Sequence, residues 1–143
     1  AWRLATTVTG GDTGIVTDWA YHGVTRAIAD FSPSEWPHGV QPAAVEPYRA
    51  PNTFRGPYAD AAEPATVASA ELAGALARIA DRGRSPAALF MDATFTADGI
   101  FVPPPEVIRA IVGAVREAGV LYVADEVQSG HGRTGDGLWG FMR

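Results

Sequence analysis

The chain is 143 residues long, one domain's worth, with 47% hydrophobic and 19% charged residues and a formal net charge of −5. This balance excludes a disordered chain, and the scattered basic residues exclude the basic face of a nucleic-acid binder. No apolar run approaches the ~18 residues of a membrane span, so no membrane association is expected. Cysteine is absent, which excludes disulfides and thiolate metal sites; no metal is expected. With no charged-then-apolar leader at its start, the chain is expected in the cytoplasm. All 11 basic residues are arginine, so this chain cannot itself form a lysine Schiff base.

In chain order, Ala1 to Thr7 reads as the end of a helix and Thr9 to Asp12 as a turn. Gly14 to Trp19, with β-branched Ile15, Val16 and Thr17, predicts a strand. Tyr21-His22-Gly23 is a loop, and Val24 to Ala29 is read as one or two helical turns. From Asp30 to Glu63 the regularity stops: six prolines fall here, interleaved with Phe31, Trp36, Tyr48, Phe54 and Tyr58. A structureless stretch of this length in a compact domain is uncommon and usually functional. Its aromatic content predicts order against another surface, so residues 30–63 are taken as an active-site or interface loop.

Pro64 to Arg82 predicts a helix, with Val67, Leu72, Leu76 and Ile79 at helical spacing and Gly83 as its stop. Ala87 to Asp92 reads as a buried strand and Ala93 to Phe101 as a loop. Pro103 to Pro105 leads into a helix to Ala118, with Val107, Ile108, Ile111, Val112 and Val115 on its buried side. Val120 to Ala124 is a further buried strand, followed by a glycine-rich loop from Ser129 to Gly137. Strands alternating with helices predict an α/β fold with a three-strand parallel βαβ core. Ligands then bind at the carboxyl ends of the strands, where Tyr21-His22-Gly23, Asp92 to Gly99 and Asp125 to Gly135 all fall.

An acid directly after an apolar parallel strand has three readings. Asp125 could cap the following turn. It could hold magnesium in a nucleotidase, but that chemistry needs a phosphate-cradling loop ending in lysine, and the chain has none. Or it could stand beside the ring nitrogen of pyridoxal 5'-phosphate, where an opposite charge favours the protonated ring and the ring then accepts electrons from a breaking Cα–H bond.

The segment Asp125-Glu126-Val127-Gln128-Ser129-Gly130-His131-Gly132-Arg133-Thr134-Gly135 resembles the Asp-Glu-Val-Gln-x-Gly-x-Gly-Arg-Thr-Gly signature of class III pyridoxal-phosphate-dependent aminotransferases. The resemblance implies that Asp125 pairs with the ring nitrogen, that Gln128 approaches the ring phenolic oxygen and that Val127 packs on one ring face. Tyr21-His22-Gly23 resembles the family's aromatic-His-Gly segment. It implies that Tyr21 stacks on the opposite ring face, that Gly23 lets the backbone pass close, and that His22 orients substrate or hydrogen-bonds the loop.

Met91 to Gly99 occupies the place of the family's Glu-Pro segment but departs from it. Asp92 and Ala93 replace Glu and Pro. Ala97 falls where some members carry a glutamate that pairs with a substrate-sensing arginine, and Asp98 is adjacent but out of that register. Ser32-Pro33 and Phe54 to Tyr58 resemble the substrate-side loop of the branch containing alanine–glyoxylate aminotransferases and ethanolamine-phosphate phospho-lyases. Arg49 and Arg55 are the candidates there to grip a carboxylate or phosphate.

The resemblance therefore implies that residues 1–143 are the central part of the coenzyme-binding large domain of a fold type I enzyme. The implied reaction moves an amino group between an amine or amino acid and a keto acid or aldehyde, in a homodimer. The phosphate-binding loop is expected before Ala1 and the Schiff-base lysine after Arg143, so the isolated chain is expected to be inactive. A phospho-lyase on the same scaffold and a non-catalytic assembly or regulatory module remain as alternatives.

Overall fold

A computed structural model describes residues 1–135 and 137–142. Asp136, within the predicted Ser129–Gly137 loop, and Arg143 lie outside the described residues. Helix α1 (Trp2–Thr9) leads into strand β1 (Thr13–Thr17). A long irregular passage with short 3-10 turns follows, containing strand β2 (Val45–Tyr48) and the one-turn helix α2 (Pro57–Asp60). Then come α3 (Pro64–Asp81), β3 (Pro86–Asp92), α4 (Pro105–Glu117) and β4 (Leu121–Asp125). The predicted helical turns at Val24 to Ala29 are instead bends and turns, with a 3-10 turn only at Ala29–Phe31.

The sheet has four strands in the order β2-β1-β3-β4, every pair parallel. The expected three-strand core is therefore short by one. The missing strand, Val45-Glu46-Pro47-Tyr48, lies inside the stretch read as a loop. Two features disguise it. Pro47 cannot donate to a sheet ladder and so belongs on an edge, which is where β2 sits. Glu46 is charged yet buried, because Arg78 of α3 and Arg82 just after it donate to its carboxylate, both at 2.5 Å. The pairing that offsets its burial comes from 32 and 36 residues away.

The sheet is covered on both faces, as parallel sheets require. On one face α3 presents Ala68, Leu72, Ala75 and Ile79 and α4 presents Val107, Ile111 and Val115, all fully buried against Ile15, Tyr48, Leu89 and Met91. These spacings place each set along one helical stripe. Each large side chain so buried contributes about 1.5–3 kcal/mol. On the other face Ala5 of α1 and Phe31 pack with Val16, Val45, Ala88 and Phe90. The passage 30–63 is therefore ordered, with Phe31, Tyr48 and Tyr58 buried.

Strand β4 is the second correction. It reads as a buried strand, but it is the outer strand next to β3, and its residues are half-buried with Leu121 exposed. Its apolar character has a covered face but no neighbour on its far edge among the described residues.

A histidine–aspartate pair at the carboxyl ends of the strands

Parallel strands that end together bring their following residues to one rim. Asp92 and Asp125 are direct register partners at the ends of β3 and β4, and the segment after β1 turns back over them. Tyr21, His22, Gly23, Asp92, Thr96, Ala97, Asp125, Val127 and Gln128 line one pocket of about 370 Å³. All six residues carried over from the family motifs as coenzyme-binding are among them.

At its floor, Nδ1 of His22 lies 2.7 Å from Oδ2 of Asp125. Nδ1–H donates there, since the carboxylate can only accept. The backbone N–H of Val127 donates to Oδ1 at 3.1 Å. The hydrogen bond from His22 is the main cause that holds the Asp125 carboxyl below its ordinary value, with the Val127 N–H and the charge of His22 adding to it and partial burial opposing. Asp125 is therefore ionised at neutral pH. A carboxylate has about four acceptor positions, so two donors leave room for a third.

His22 is itself fixed. Its backbone N–H donates to Oγ of Ser32 at 2.9 Å, and that hydroxyl donates to the carbonyl of Gly23 at 2.8 Å. Ser32 is fully buried. The turn is possible because Gly23 has φ 114°, a conformation costly for any residue with a Cβ. The His22 side chain is only 3% exposed, and its Nε2 is buried with no hydrogen-bond partner. Tyr21 and Val127, by contrast, are 48% and 78% exposed. An ionised acid at the floor, an orphaned ring nitrogen beside it and two uncovered apolar side chains at the walls fit a flat, cationic heteroaromatic group such as the pyridoxal ring.

Glu126 points away from this pocket, as alternate residues of an extended segment do. Its carboxylate accepts from Ser129 Oγ at 2.7 Å and from the backbone N–H groups of Gly140 and Phe141, both at 2.8 Å. The two acids of the motif therefore divide the work: Asp125 faces the pocket and Glu126 ties down the glycine-rich loop. Asp92 spends both oxygens on its own loop, accepting from the backbone N–H and hydroxyl of Thr94 and of Thr96.

Arg49 and Arg55 are not brought to this pocket. They line a separate cleft of about 470 Å³ with Asp18, Trp19, Asn52 and Asp98, and Arg49 Nε lies 3.9 Å from Glu71. Sequence reasoning left Ser32, Glu126 and Asp98 without roles at the site. Only Glu126 carried a usable signal, namely its alternation with Asp125; the other two act through contacts visible only in three dimensions. Among the described residues no cluster of three or more His, Cys, Asp or Glu could hold a metal, and no helix is long and apolar enough to cross a membrane.

Comparison with known proteins identifies the family. A family model described as "Aminotransferase class-III" matches residues 1–142. The chain is 32% identical over 148 residues to an alanine–glyoxylate aminotransferase 2-like protein of Drosophila melanogaster, covering 99% of this chain and 30% of that one. It is 31% identical over 152 residues to ethanolamine-phosphate phospho-lyase homolog 1 of Caenorhabditis elegans, covering 97% and 32%. Among solved structures it superposes on a phospholyase from Arthrobacter in complex with phosphoethanolamine with a TM-score of 0.87 at 31% identity, covering 98% of this chain and 33% of that one. The chain thus spans about a third of the length of the relatives it matches. A parallel α/β sheet with an acid, a histidine and an aromatic at its carboxyl rim, matched along its whole length, places this chain in the class III aminotransferase family.

Proposed function

We propose that this chain is the central segment of the coenzyme-binding domain of a pyridoxal-phosphate-dependent aminotransferase. The complete protein would move an amino group between an amine or amino acid and a keto acid or aldehyde. The observation that carries the reading is the His22–Asp125 pair at 2.7 Å between the uncovered side chains of Tyr21 and Val127.

The coenzyme, when bound, supplies an electron sink that is strongest with its ring nitrogen protonated. Asp125 keeps that proton in place, because its own carboxyl is held ionised by His22. Ser32 holds the His22 backbone and so fixes the direction of Nδ1–H. Tyr21 and Val127 supply apolar faces for the ring, Gln128 supplies an amide at the rim, and Gly23 lets the backbone approach. The base that moves the substrate proton is not among these residues: the family's lysine has no counterpart in this chain.

Phospho-lyase chemistry is the second reading, favoured by the likeness to the Arthrobacter phospholyase and the Caenorhabditis elegans homologue. One experiment separates the two. The complete protein, loaded with pyridoxal phosphate, is given phosphoethanolamine or a panel of amino donors with pyruvate or 2-oxoglutarate. Amino-group transfer without phosphate release supports the aminotransferase; phosphate release without transfer overturns it in favour of the lyase; coenzyme that washes off on gel filtration, with neither product, overturns both. The reading includes a homodimer and a cytoplasmic setting, which sedimentation and cell fractionation check.

A further inference from the structure

The loop after β3 forms one wall of the coenzyme pocket through Thr96 and Ala97. Its backbone is held in a disfavoured shape: Phe95 and Ile100 adopt φ 49° and 58°, a region that residues with a Cβ rarely enter. Phe95 is pinned by stacking on Phe101, with ring centroids 5.1 Å apart. Asp92 organises the near end of the loop from within. Asp98 does something different, because it reaches across to another segment. Its Oδ2 accepts the hydroxyl of Thr17 at 2.7 Å, and its Oδ1 accepts the backbone N–H of Trp19 at 3.1 Å. Thr17 is the last residue of β1, and Trp19 lies two residues before Tyr21. One carboxylate thus joins the two opposite walls of the pocket.

We propose that Asp98 is a positioning residue whose carboxylate latches the β3–α4 loop to the exit of β1, setting the gap between Tyr21 and His22 on one side and Thr96 and Ala97 on the other. The inference rests on the coenzyme reading for its consequence, but the latch itself is a property of this chain alone. Stability does not explain the charge. Burial pushes the Asp98 carboxyl up to about 6 against both hydrogen bonds, so the ionised form is disfavoured in the fold. An asparagine would reach the same two partners without that penalty. What the charge adds is strength and shortness in the two bonds.

Those bonds do not offset burial, and a released carboxylate regains water, so ionisation favours release: the latch is tight below 3.8 and loosens as pH rises through about 6. Asp18 raises this threshold and His22 lowers it. The Tyr48 phenol also senses the Asp98 charge, and Arg49 and Arg55 line the same cleft.

The test uses the complete protein and its Asp98→Asn and Asp98→Ala variants. Two quantities are read from pH 5 to 8: hydrogen-exchange protection of the Trp19 amide, corrected for intrinsic rate, and the dissociation constant for pyridoxal phosphate. In the wild type both should weaken as pH rises through about 6. In Asp98→Asn both should lose that step while keeping partial protection. In Asp98→Ala, Trp19 protection should fall about tenfold or more and coenzyme affinity with it, the equivalent of one lost charge-assisted hydrogen bond. A pH step that persisted in Asp98→Asn would belong to another titrating group. That result, or unchanged Trp19 protection in Asp98→Ala, overturns the proposal. If no variant and not the wild type binds coenzyme, the functional reading fails instead, and the exchange measurement still decides the latch.

Discussion

Glu126 offers a test of how the Asp125 segment is supported from behind. Replacing it by alanine removes the acceptor for Ser129 Oγ and for the N–H groups of Gly140 and Phe141. Hydrogen bonds to a charged group contribute about 1.5–3 kcal/mol each, so three would suggest a gross loss of several kcal/mol. Most of that is recovered, because Glu126 is half-exposed and Phe141 exposed, and water replaces the lost acceptor there. Ser129 is fully buried, and its stranded hydroxyl keeps a penalty of about 1–3 kcal/mol. The net expectation is about 2–3 kcal/mol, confined to the loop return and not spread over the sheet. Native-state hydrogen exchange reads it directly. Protection of the Gly140 and Phe141 amides should fall roughly 30- to 150-fold in Glu126→Ala, at 1.4 kcal/mol per factor of ten, while amides in β3 stay as they were. Glu126→Gln, which keeps one acceptor oxygen but no charge, should fall between. Wild-type exchange at both amides in the alanine variant would refute the assignment of Glu126 as the tie.

Other expectations follow from the same geometry. Glu46→Gln should destabilise the fold by about 2–4 kcal/mol in urea unfolding. It leaves two arginines facing an uncharged partner; removing one member of a buried pair costs about 3–5 kcal/mol, reduced here because Arg78 and Arg82 remain partly exposed. Gly14→Ala would place a Cβ 2.0 Å from the Phe31 ring, an overpacking expected to cost about 1–3 kcal/mol of unfolding free energy. Tyr21→Ala should weaken coenzyme binding about 2- to 13-fold, the worth of an aromatic contact of about 0.5–1.5 kcal/mol, with little effect on melting temperature. Asp98 also carries a pH signature of stability. Its folded value is raised from 3.8 to about 6, so its contribution is fully present below 3.8 and lost as pH rises through 6. Relative to wild type, Asp98→Asn should gain up to about 3 kcal/mol between pH 4 and pH 7, at 1.36 kcal/mol per pH unit; equal pH slopes in the two proteins would contradict the shift.

The parts of the fold legible in the sequence are those whose signal is local. Ala87 to Asp92 and Val120 to Ala124 are apolar runs that directly follow Pro86 and Gly119, and α3 and α4 repeat their apolar residues at helical spacing. The clustering of the six candidate site residues around one pocket is legible because they sit in two short motifs directly after strands. What was hidden depends on partners far along the chain. β2 looks like loop because its glutamate is neutralised by two arginines, one in α3 and one just after it. β4 looks buried because composition cannot say which strand lies at the edge. Asp98 looks like an off-register neighbour because its partners, Thr17 and Trp19, are 81 and 79 residues away. Arg49 and Arg55 looked available to the substrate, but the β2 exit carries them into a different cleft.

The central claim is that Asp125 serves the coenzyme's ring nitrogen, and a coenzyme altered at that atom tests it most directly. The complete protein is compared with its Asp125→Ala variant, each loaded with pyridoxal phosphate or with the analogue methylated on the ring nitrogen, and the first half-reaction with an amino donor is timed in a single turnover. With the ordinary coenzyme, Asp125→Ala should be slower by roughly 10²–10³-fold or more, the usual penalty for losing one preorganised electrostatic partner. The methylated coenzyme carries a fixed positive charge and should restore much of that rate in the variant. A variant that keeps its rate with ordinary coenzyme, or one that stays equally slow with the methylated form, would contradict the role assigned to Asp125.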